Sequence, residues 1–387
     1  MKKIAVLLDS QILNDGRVRR VIESLSEKFL VDLFCVKGES DDSLLFNKNV
    51  EIFYYSIDIS WVKHNLFMHK KFEDLKIQFK KLKKKYDFIY VNDYPLLSTG
   101  VELKNKIDGK LIYDSHEIYI ETINQFFPSK TWKKIYGIPL IKVNQLIHSK
   151  IEKKQVKQID KMVTVCDSLK NYFEKKLPVK DVIVMRNCPK HFDFNTSSTI
   201  IRNKLNLSDK VKILLYQGDV NISRGIEKIA KAIPLVNENI HFVIIGGGTK
   251  LNEFKEKYSS NRIHFLGRIA FDDLYEYTAS CDVGISIIEP YNLSKYYSLP
   301  NKIFEYMVAN VPFITNNLPE ASKIAKEENC GFIINDSSSE KIAEEINDIF
   351  NKSNLKEFGK NGHKAIVEKY NWEKEVSKVI KWIMENS

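Results

Sequence analysis

The sequence contains no long apolar run, and no stretch of it approaches the roughly 18 residues that a membrane-spanning helix requires. Its five cysteines lie far apart without a Cys-x-x-Cys spacing, which argues against a zinc site and against a disulfide framework. Buried, reduced thiols are the better interpretation. The N-terminus holds a short apolar run that ends at Asp9, which is typical of a first strand and not of a signal peptide. We therefore expect a cytoplasmic protein.

A glycine fingerprint of the type G-x-G-x-x-G is also missing, which argues against a dinucleotide-dependent oxidoreductase. The chain has 387 residues, which is more than one ordinary core accommodates. Short apolar runs alternate with helical patterns in both halves, and this alternation predicts an α/β fold with parallel sheets. Residues from about 189 to 208 show no strong period and include a polar run. We place a boundary there, and predict domains over 1–190 and 191–370 and a last helix over 371–387.

The stretch from Ser298 to Glu320 combines features of a phosphate site. Ser298 can cap a helix, Pro300 suits its first turn, and the following apolar residues share one helical face. Lys302 and Glu305 lie together on the opposite face, near the helix mouth. A helix N-terminus with a lysine suits a phosphate, and a carboxylate one turn further can accept the hydrogen bonds of a ribose diol. An ordinary surface helix with a solvated Lys and Glu is the alternative.

In the first half, polar residues follow three predicted strands. The first strand leads to a loop that contains Asp15 and Gly16, where a glycine lets the backbone approach a ligand closely. Asp93 follows a strand over 88–91, and His116 and Glu117 follow a strand over 110–113. Because open α/β sheets bind ligands at the carboxyl ends of their strands, these residues are candidates for chemistry. A plain turn at Gly16 and a structural role for His116 are the alternatives.

In the second half, glycines follow two predicted strands. Gly218 and, further on, Arg224 precede a helix, and Gly246 opens a run of three glycines after the next strand. A glycine and a basic residue before a helix suggest contact with phosphate. The glycine run permits close approach of a nucleotide to the backbone, although by itself it is a weak signal.

The net charge is +10, and many of the lysines lie in two segments. Within residues 70–85, eight lysines surround apolar residues spaced three and four apart, which predicts a basic amphipathic helix. Residues 129–158 repeat this character. Each segment can be a solvated outer face, or it can dock on an anionic membrane at the inner face of the plasma membrane, where each basic residue contributes about 1 kcal/mol. No nucleic-acid-binding motif accompanies the lysines, so we expect no nucleic acid partner.

Two motifs resemble those of a known family. The run from Ser298 to Lys302, followed by Phe304-Glu305-Tyr306-Met307, resembles the donor-binding signature of a subgroup of retaining GT-B glycosyltransferases, family 4, also called glycosyl transferases group 1. The strand end from Tyr113 to Glu117 resembles the corresponding strand end of these enzymes. The resemblance implies two Rossmann-like, doubly wound domains that face a central cleft, and a C-terminal helix that returns to the first domain.

The resemblance also implies roles for single residues. Lys302, Arg224 and the helix mouth would stabilise the leaving diphosphate, Glu305 would orient the ribose, and His116 would position the sugar near its reacting carbon. The residues expected to bind the nucleotide sugar are Gly16, Gly218, Gly246, Ser298, Leu299, Pro300, Asn301 and Glu305. The residues expected on the acceptor side are Asp15, Asp93 and Glu117.

The chain departs from the family pattern at two positions. Many members carry two glutamates eight positions apart, and the first of these is Tyr297 here, with Glu289 upstream as a possible replacement. The family usually has an arginine directly after the glycine at the Gly218 position, and this residue is Asp219 here. Lys302 is the candidate for supplying the missing diphosphate contact.

The implied function is a retaining glycosyltransferase that needs no metal and no cofactor. It would move a hexosyl or N-acetylhexosaminyl group from a nucleoside diphosphate sugar to a glycan or lipid-linked acceptor, in cell-surface polysaccharide synthesis. Family frequency favours UDP as the nucleotide. One alternative is a nucleotide-sugar epimerase of similar fold, although the sequence identifies no acid/base carboxylates for it. The other is a basic protein that binds nucleic acid or a membrane surface.

Overall fold

The computed structural model describes residues 1–38, 45–57, 71–122, 138–190, 197–336 and 338–387. Within these residues the chain folds as two compact units. Unit 1 consists of Met1–Asn187 and Glu375–Ser387, and unit 2 consists of Cys188–Lys374. No helix in the described ranges has both the length and the apolar character needed to cross a membrane.

Unit 1 is built on a parallel sheet that has seven strands within the described residues. The strands are β1 (Lys3–Leu7), β2 (Leu30–Val36), β3 (Val50–Tyr55), β4 (Phe88–Asn92), β5 (Lys110–Ser115), β6 (Lys161–Thr164) and β7 (Ile183–Val184). The helices are α1 (Gly16–Ser26), α2 (Glu73–Lys81), α3 (Tyr94–Lys104), α4 (Tyr119–Thr122), α5 (Ile138–Gln155) and α6 (Asp167–Lys176). The strand order β3-β2-β1-β4-β5-β6-β7 reverses direction between β1 and β4. Such a reversal opens a crevice at the carboxyl ends of the two strands.

Unit 2 repeats this plan with six strands in its described part, all parallel. The strands are β8 (Lys212–Gln217), β9 (Ile240–Ile245), β10 (Ile263–Gly267), β11 (Val283–Ser286), β12 (Phe313–Asn316) and β13 (Gly331–Ile334). The helices before β12 are α7 (Ile200–Leu205), α8 (Ile226–Ala232), α9 (Leu251–Tyr258), α10 (Phe271–Ala279), α11 (Leu293–Tyr296) and α12 (Asn301–Val308). The later helices are α13 (Pro319–Glu327), α14 (Ser339–Phe350), α15 (Leu355–Glu368) and α16 (Trp372–Glu385). The order β10-β9-β8-β11-β12-β13 reverses between β8 and β11, which places the crevice of unit 2 there.

The strands of unit 2 are apolar on both faces because helices cover both. Ile213 and Leu215 of β8 belong to one buried cluster, which includes the apolar face of α12. Leu214 and Tyr216 point the other way, into a second cluster with α8 and α14. Near-continuous apolar strands of this kind are typical of parallel sheets. The structure therefore confirms the predicted α/β class with two parallel, Rossmann-like sheets.

The last helix, α16, continues past the boundary between the units. Glu375 is buried and accepts hydrogen bonds from the backbone N–H and the guanidinium of Arg186, at 2.9 and 3.1 Å. The ring of Trp382 lies 6.2 Å from the ring of Phe88 at β4, with the two planes nearly perpendicular. These contacts attach the C-terminal part of α16 to unit 1.

Several local predictions need correction. Ser298 does not cap α12, because its hydroxyl donates to the carbonyl of Lys295 at 2.7 Å, and Pro300 occupies the N-cap position itself. The helix predicted over 70–85 is shorter, since α2 ends at Lys81 and Lys83 adopts a left-handed φ of 48°. Asn310, with a left-handed φ of 56°, follows the end of α12. Residue 70 and residues 129–137 of the predicted basic segments lie outside the described residues.

The cysteines agree with the expectation of buried thiols. Cys35, Cys166, Cys188 and Cys330 are buried, and Cys281 is half-buried. Burial raises the pKa of the Cys330 thiol to about 12 and that of Cys281 well above its usual range. Both groups are therefore protonated and unreactive at neutral pH.

Candidate functional site

Two glycines leave the backbone without side chains at the carboxyl edge of the sheet in unit 2. Gly218 follows β8 with a φ of 121°, and Gly246 follows β9 with a φ of 142°, values that favour glycine. A Cβ atom on Gly246 would lie 1.8 Å from the carbonyl oxygen of Gly218, which no rearrangement of side chains could relieve. Both predicted glycines therefore meet at one point of the edge, next to the reversal of strand order.

Lys302, in the first turn of α12, points at the same edge. A Cβ atom on Gly218 would lie 3.3 Å from Lys302 Nζ, and Nζ stands 3.6 Å from the centre of the Tyr216 ring. Lys302 is only 9% exposed, and its ammonium forms no ion pair with any described carboxylate. Burial, and next the charge of Arg224, lower its pKa well below the usual range, against the opposing effect of Glu305 and Asp219. The site thus holds a buried lysine that forms no ion pair with a described carboxylate, beside backbone without side chains.

Glu305, one turn further along α12, is held by a residue that the sequence did not single out. Gln217, the last residue of β8, donates from Nε2 to Glu305 Oε2 at 2.5 Å. The side-chain oxygen of Gln217, Oε1, in turn accepts a hydrogen bond from the Thr278 hydroxyl at 2.8 Å. Gln217 and Thr278 are both buried, so the carboxylate of Glu305 has a fixed orientation. The signal that could have identified Gln217 is its position at a strand end within the crevice.

The remaining predicted residues of unit 2 lie in the loops around this edge. Arg224 is half-buried in the loop before α8, close enough to Lys302 and Tyr216 to affect their pKa values. Glu289 follows β11, and Lys228 Nζ lies 3.7 Å from its carboxylate. Leu299 packs against the buried cluster that includes α12, and Asn301 is the exposed first residue of that helix. The described structure shows no side chain that caps this helix end.

The two departures from the family pattern take up contacts of their own. The Tyr297 ring lies 5.3 Å from the ring of Tyr296. Asp219 accepts a hydrogen bond from the Tyr216 hydroxyl through its backbone carbonyl at 2.7 Å. Its carboxylate accepts a hydrogen bond from the Asn221 amide.

Unit 1 has a charged cluster at the carboxyl ends of β4 and β5. Asp114 is fully buried, and Arg17 donates to both of its oxygens at 3.1 Å. The Tyr90 hydroxyl donates to the same carboxylate at 2.7 Å. Burial opposes the charge of Asp114, but Arg17 and then His116 outweigh it and hold the pKa of Asp114 well below its usual range. Arg17 could not be predicted from the sequence, because it stands 97 positions from Asp114.

His116 lies between two carboxylates. Its Nδ1 is 3.0 Å from Asp93 Oδ2, and its Nε2 is 3.4 Å from Asp114 Oδ2. Burial disfavours the imidazolium, but Asp93 and Asp114 outweigh burial and raise the pKa of His116 to about 10. His116 is therefore a cation at neutral pH. Asp93 also accepts from the His116 backbone N–H at 2.9 Å and holds a strained φ of 62°, so the pair is tightly fixed.

Of the other predicted residues of unit 1, Asp15 and Glu117 form hydrogen bonds within the unit, whereas Gly16 faces open space. Asp15 caps α1 by accepting from the N–H groups of Arg17 and Val18, at 3.1 and 2.9 Å. Glu117 accepts from the Thr122 hydroxyl at 3.1 Å. A Cβ atom on Gly16 would meet nothing within 4 Å, so the N-terminus of α1 faces open space. The backbone at Gly16 is thus accessible, as a ligand contact requires.

Two further residues of this edge were not predicted. Asp9 follows β1, and burial, which is only partly opposed by Lys71, raises its pKa to about 6. Lys71 is buried, and burial lowers its pKa in spite of the charge of Asp9. The position of Asp9 directly after a strand was the available signal.

Comparison with known proteins identifies the chemistry of unit 2. Residues 211–352 match the family model described as glycosyl transferases group 1. Most of unit 2 is therefore similar to the group 1 glycosyltransferases. An uncharacterised glycosyltransferase of Methanocaldococcus jannaschii, MJ1607, is 25% identical to the chain over 318 residues, which cover 78% of this chain and 76% of the relative.

Solved structures extend the similarity to the whole chain. Sucrose-phosphate synthase of Thermosynechococcus elongatus matches with a TM-score of 0.76 at 16% identity, over 100% of this chain and 99% of the other. HepE of Anabaena, determined in complex with UDP, matches with a TM-score of 0.73 at 14% identity, over 100% of both chains. The chain therefore has the predicted GT-B fold.

Proposed function

We propose that the chain transfers a hexosyl or N-acetylhexosaminyl group from a UDP-sugar to a glycan or lipid-linked acceptor. We further propose that the anomeric configuration is retained and that the product belongs to a cell-surface polysaccharide. The observation that carries this proposal is the buried side chain of Lys302, whose amino group lies beside the backbone at Gly218 and forms no ion pair with a described carboxylate. The complexes of Anabaena HepE with UDP and UDP-glucose support the choice of nucleotide.

A diphosphate would supply the negative charge that Lys302 lacks among the described residues. The face of the Tyr216 ring offers an ammonium about 0.5–2 kcal/mol, whereas burying an unpaired ion costs several kcal/mol. Burial therefore disfavours the charged form of Lys302, and two phosphate groups with negative charges would favour it. Arg224 and the N–H groups at the mouth of α12, from Leu299 to Asn301, would add to the attraction.

The same groups would act during the reaction. When the bond between the sugar and the diphosphate breaks, negative charge grows on the leaving group, and cations fixed beside it stabilise the transition state. Because Lys302 and Arg224 together supply two cations, we propose that the reaction proceeds without a metal ion or cofactor. Turnover should then be unchanged after treatment with a chelator.

Glu305 would select the nucleotide by its ribose. Gln217 orients the carboxylate through one oxygen, and a carboxylate presented in a fixed direction can accept hydrogen bonds from the ribose hydroxyls. In unit 1, we propose that the acceptor binds near Asp9, Asp93 and Glu117. The imidazolium of His116 would stabilise negative charge or orient a hydroxyl near the reacting carbon.

The first experiment is thermal unfolding of the full chain in the presence of UDP, GDP, ADP or CMP. A ligand at 100 times its dissociation constant stabilises the folded protein by about 2.7 kcal/mol, which is a visible shift. We expect a shift with UDP and a much smaller one with Lys302→Met. If no nucleotide shifts the unfolding temperature, the proposed donor site is wrong. Conversion of a UDP-sugar into its epimer without any acceptor would instead identify an epimerase.

A further inference from the structure

Helix α5 of unit 1 buries a row of polar residues and exposes apolar ones, the reverse of an ordinary surface helix. Asn144, His148 and Glu152, which follow each other at intervals of four, are 4%, 2% and 5% exposed. Three apolar residues of the same helix point outward, and Leu146 among them is 63% exposed. Val143 and Ile147 flank it and are exposed as well. A surface helix normally buries its apolar stripe and exposes its polar one.

Contacts within unit 1 hold the polar row of α5 in this position. His148 Nδ1 lies 2.8 Å from the Tyr94 hydroxyl, and the Tyr113 hydroxyl donates to Glu152 at 3.3 Å. If α5 rotated to bury Leu146, both contacts would break and the polar groups of these residues would lose their partners. The outward direction of the apolar residues is therefore fixed by the fold.

Positive charge surrounds these apolar residues. Lys150, Lys153 and Lys154 are exposed on α5 and form no ion pair with any carboxylate of the described chain. On the neighbouring helix, α6, Lys175 and Lys176 are exposed too.

Between α5 and α6 lies a cavity of about 390 Å³. Its lining includes Leu146 and Leu177 together with the side chains of Lys153 and Lys176. Glu152 also lines it, and burial raises the pKa of Glu152 to about 7, so that this carboxyl group is largely neutral in mildly acidic solution. Glu121 and Lys142 line it as well, so that three ammonium groups face two carboxyl groups beside the apolar side chains.

We propose that the outer face of α5, with the adjoining end of α6, docks the protein on the surface of an anionic lipid bilayer. Apolar side chains ringed by lysines match the two layers of such a surface, the acyl chains and the negative headgroups. The cavity would receive one phosphate headgroup. We call Val143, Leu146, Ile147 and the lysines at 150, 153, 154, 175 and 176 the docking face.

The other basic segment lacks these properties, which is why the proposal concerns α5 alone. The apolar residues of α2, including Leu75 and Phe79, are buried in the core of unit 1. Lys76 is buried too and binds Glu73 and Glu102 at 2.6 and 3.0 Å. Lys84, beyond the helix, binds Asp32 and Glu51. The structure therefore separates two segments that look alike in the sequence.

The test is co-sedimentation of the full chain with vesicles. We expect binding to vesicles of phosphatidylcholine mixed with phosphatidylglycerol, and little binding to phosphatidylcholine alone. The double variant Leu146→Ser/Ile147→Ser should lower the partition coefficient about tenfold or more, and so should Lys153→Glu/Lys154→Glu. The matched control is Ile77→Ser on α2, which removes an apolar residue that is 48% exposed and should change nothing.

Three results would overturn the proposal. The first is wild-type protein that does not sediment with anionic vesicles. The second is a double variant that binds like the wild type, or an Ile77→Ser variant that loses as much. The third is a wild-type dimer in light scattering that Leu146→Ser/Ile147→Ser dissociates while vesicle binding is unchanged, because the face would then join two copies of the chain. Folding of each variant is checked by its unfolding temperature, and nucleotide binding is a separate readout on unit 2.

Discussion

The substitution Glu152→Gln gives the sharpest test of the electrostatics of unit 1. Glu152 is 5% exposed, and burial raises its pKa from the usual 4.5 to about 7. Between these two pH values the unfolded chain has released the proton while the folded chain keeps it. The free energy of unfolding of the wild type therefore falls as the pH rises from about 4.5 to about 7. At about 1.36 kcal/mol for each pKa unit, the total loss is about 3 kcal/mol.

Glutamine has nearly the same shape but no proton to release, so this loss should disappear in the variant. Its amide oxygen can still accept from the Tyr113 hydroxyl. Its NH₂ group places buried donors where the carboxylate had an acceptor oxygen, which costs about 1–3 kcal/mol. That cost is the same at every pH. The difference in stability between the variant and the wild type should consequently move in favour of the variant by about 3 kcal/mol between pH 4.5 and pH 8.

The assay is urea unfolding of both proteins, followed by circular dichroism at a series of pH values. A companion variant, Tyr113→Phe, removes a hydrogen bond to the ionised carboxylate, and should enlarge the total loss of stability and extend it to higher pH. A stability difference between Glu152→Gln and the wild type that stays constant from pH 4.5 to pH 8 would refute the reasoning. It would mean that Glu152 titrates alike in the folded and unfolded chains.

Four further predictions concern the proposed active site. Lys302→Met should weaken UDP binding about 10- to 100-fold, as measured by calorimetry, because it removes the amino group that would contact the diphosphate. Glu305→Ala should weaken donor binding about tenfold without unfolding the protein, and unchanged affinity would reject the ribose assignment. His116→Ala should lower turnover more than donor affinity, whereas wild-type activity would make His116 structural. Gly246→Ala should lower the free energy of unfolding by more than about 3 kcal/mol, as measured in urea, because its Cβ would overlap the carbonyl of Gly218.

Much of unit 2 could be predicted because its signals are local. The apolar period of α12, the left-handed Asn310 and the glycines after β8 and β9 each report on a few neighbouring residues. The burial of Lys302 could not be predicted in this way. The helical period places it opposite the apolar face, yet Tyr216 and the edge at Gly218 cover that side as well. Residues distant in sequence decide whether a helix has one covered face or two.

The same limit explains what the sequence left open in unit 1. Arg17 and Asp114 form a buried pair, but only the sheet brings the loop after β1 next to the end of β5. The periodicity of α5 correctly predicts an amphipathic helix, but it cannot say which face turns inward. That choice depends on Tyr94 and Tyr113, which precede α5 in the chain and bind its polar row.

The path of the chain through α16 determines the order in which the two units can complete their folding during synthesis. Unit 2 is an insertion within unit 1, and its two ends meet where the N–H of Trp372 donates to the carbonyl of Pro189 at 2.9 Å. During synthesis all of unit 2 leaves the ribosome before Glu375 and Trp382, which unit 1 needs to complete its core. The first unit to emerge is thus the last to finish folding. A nascent chain released before Glu375 would carry a complete unit 2 and an unfinished unit 1, with Phe88 and Arg186 exposed to chaperones and proteases.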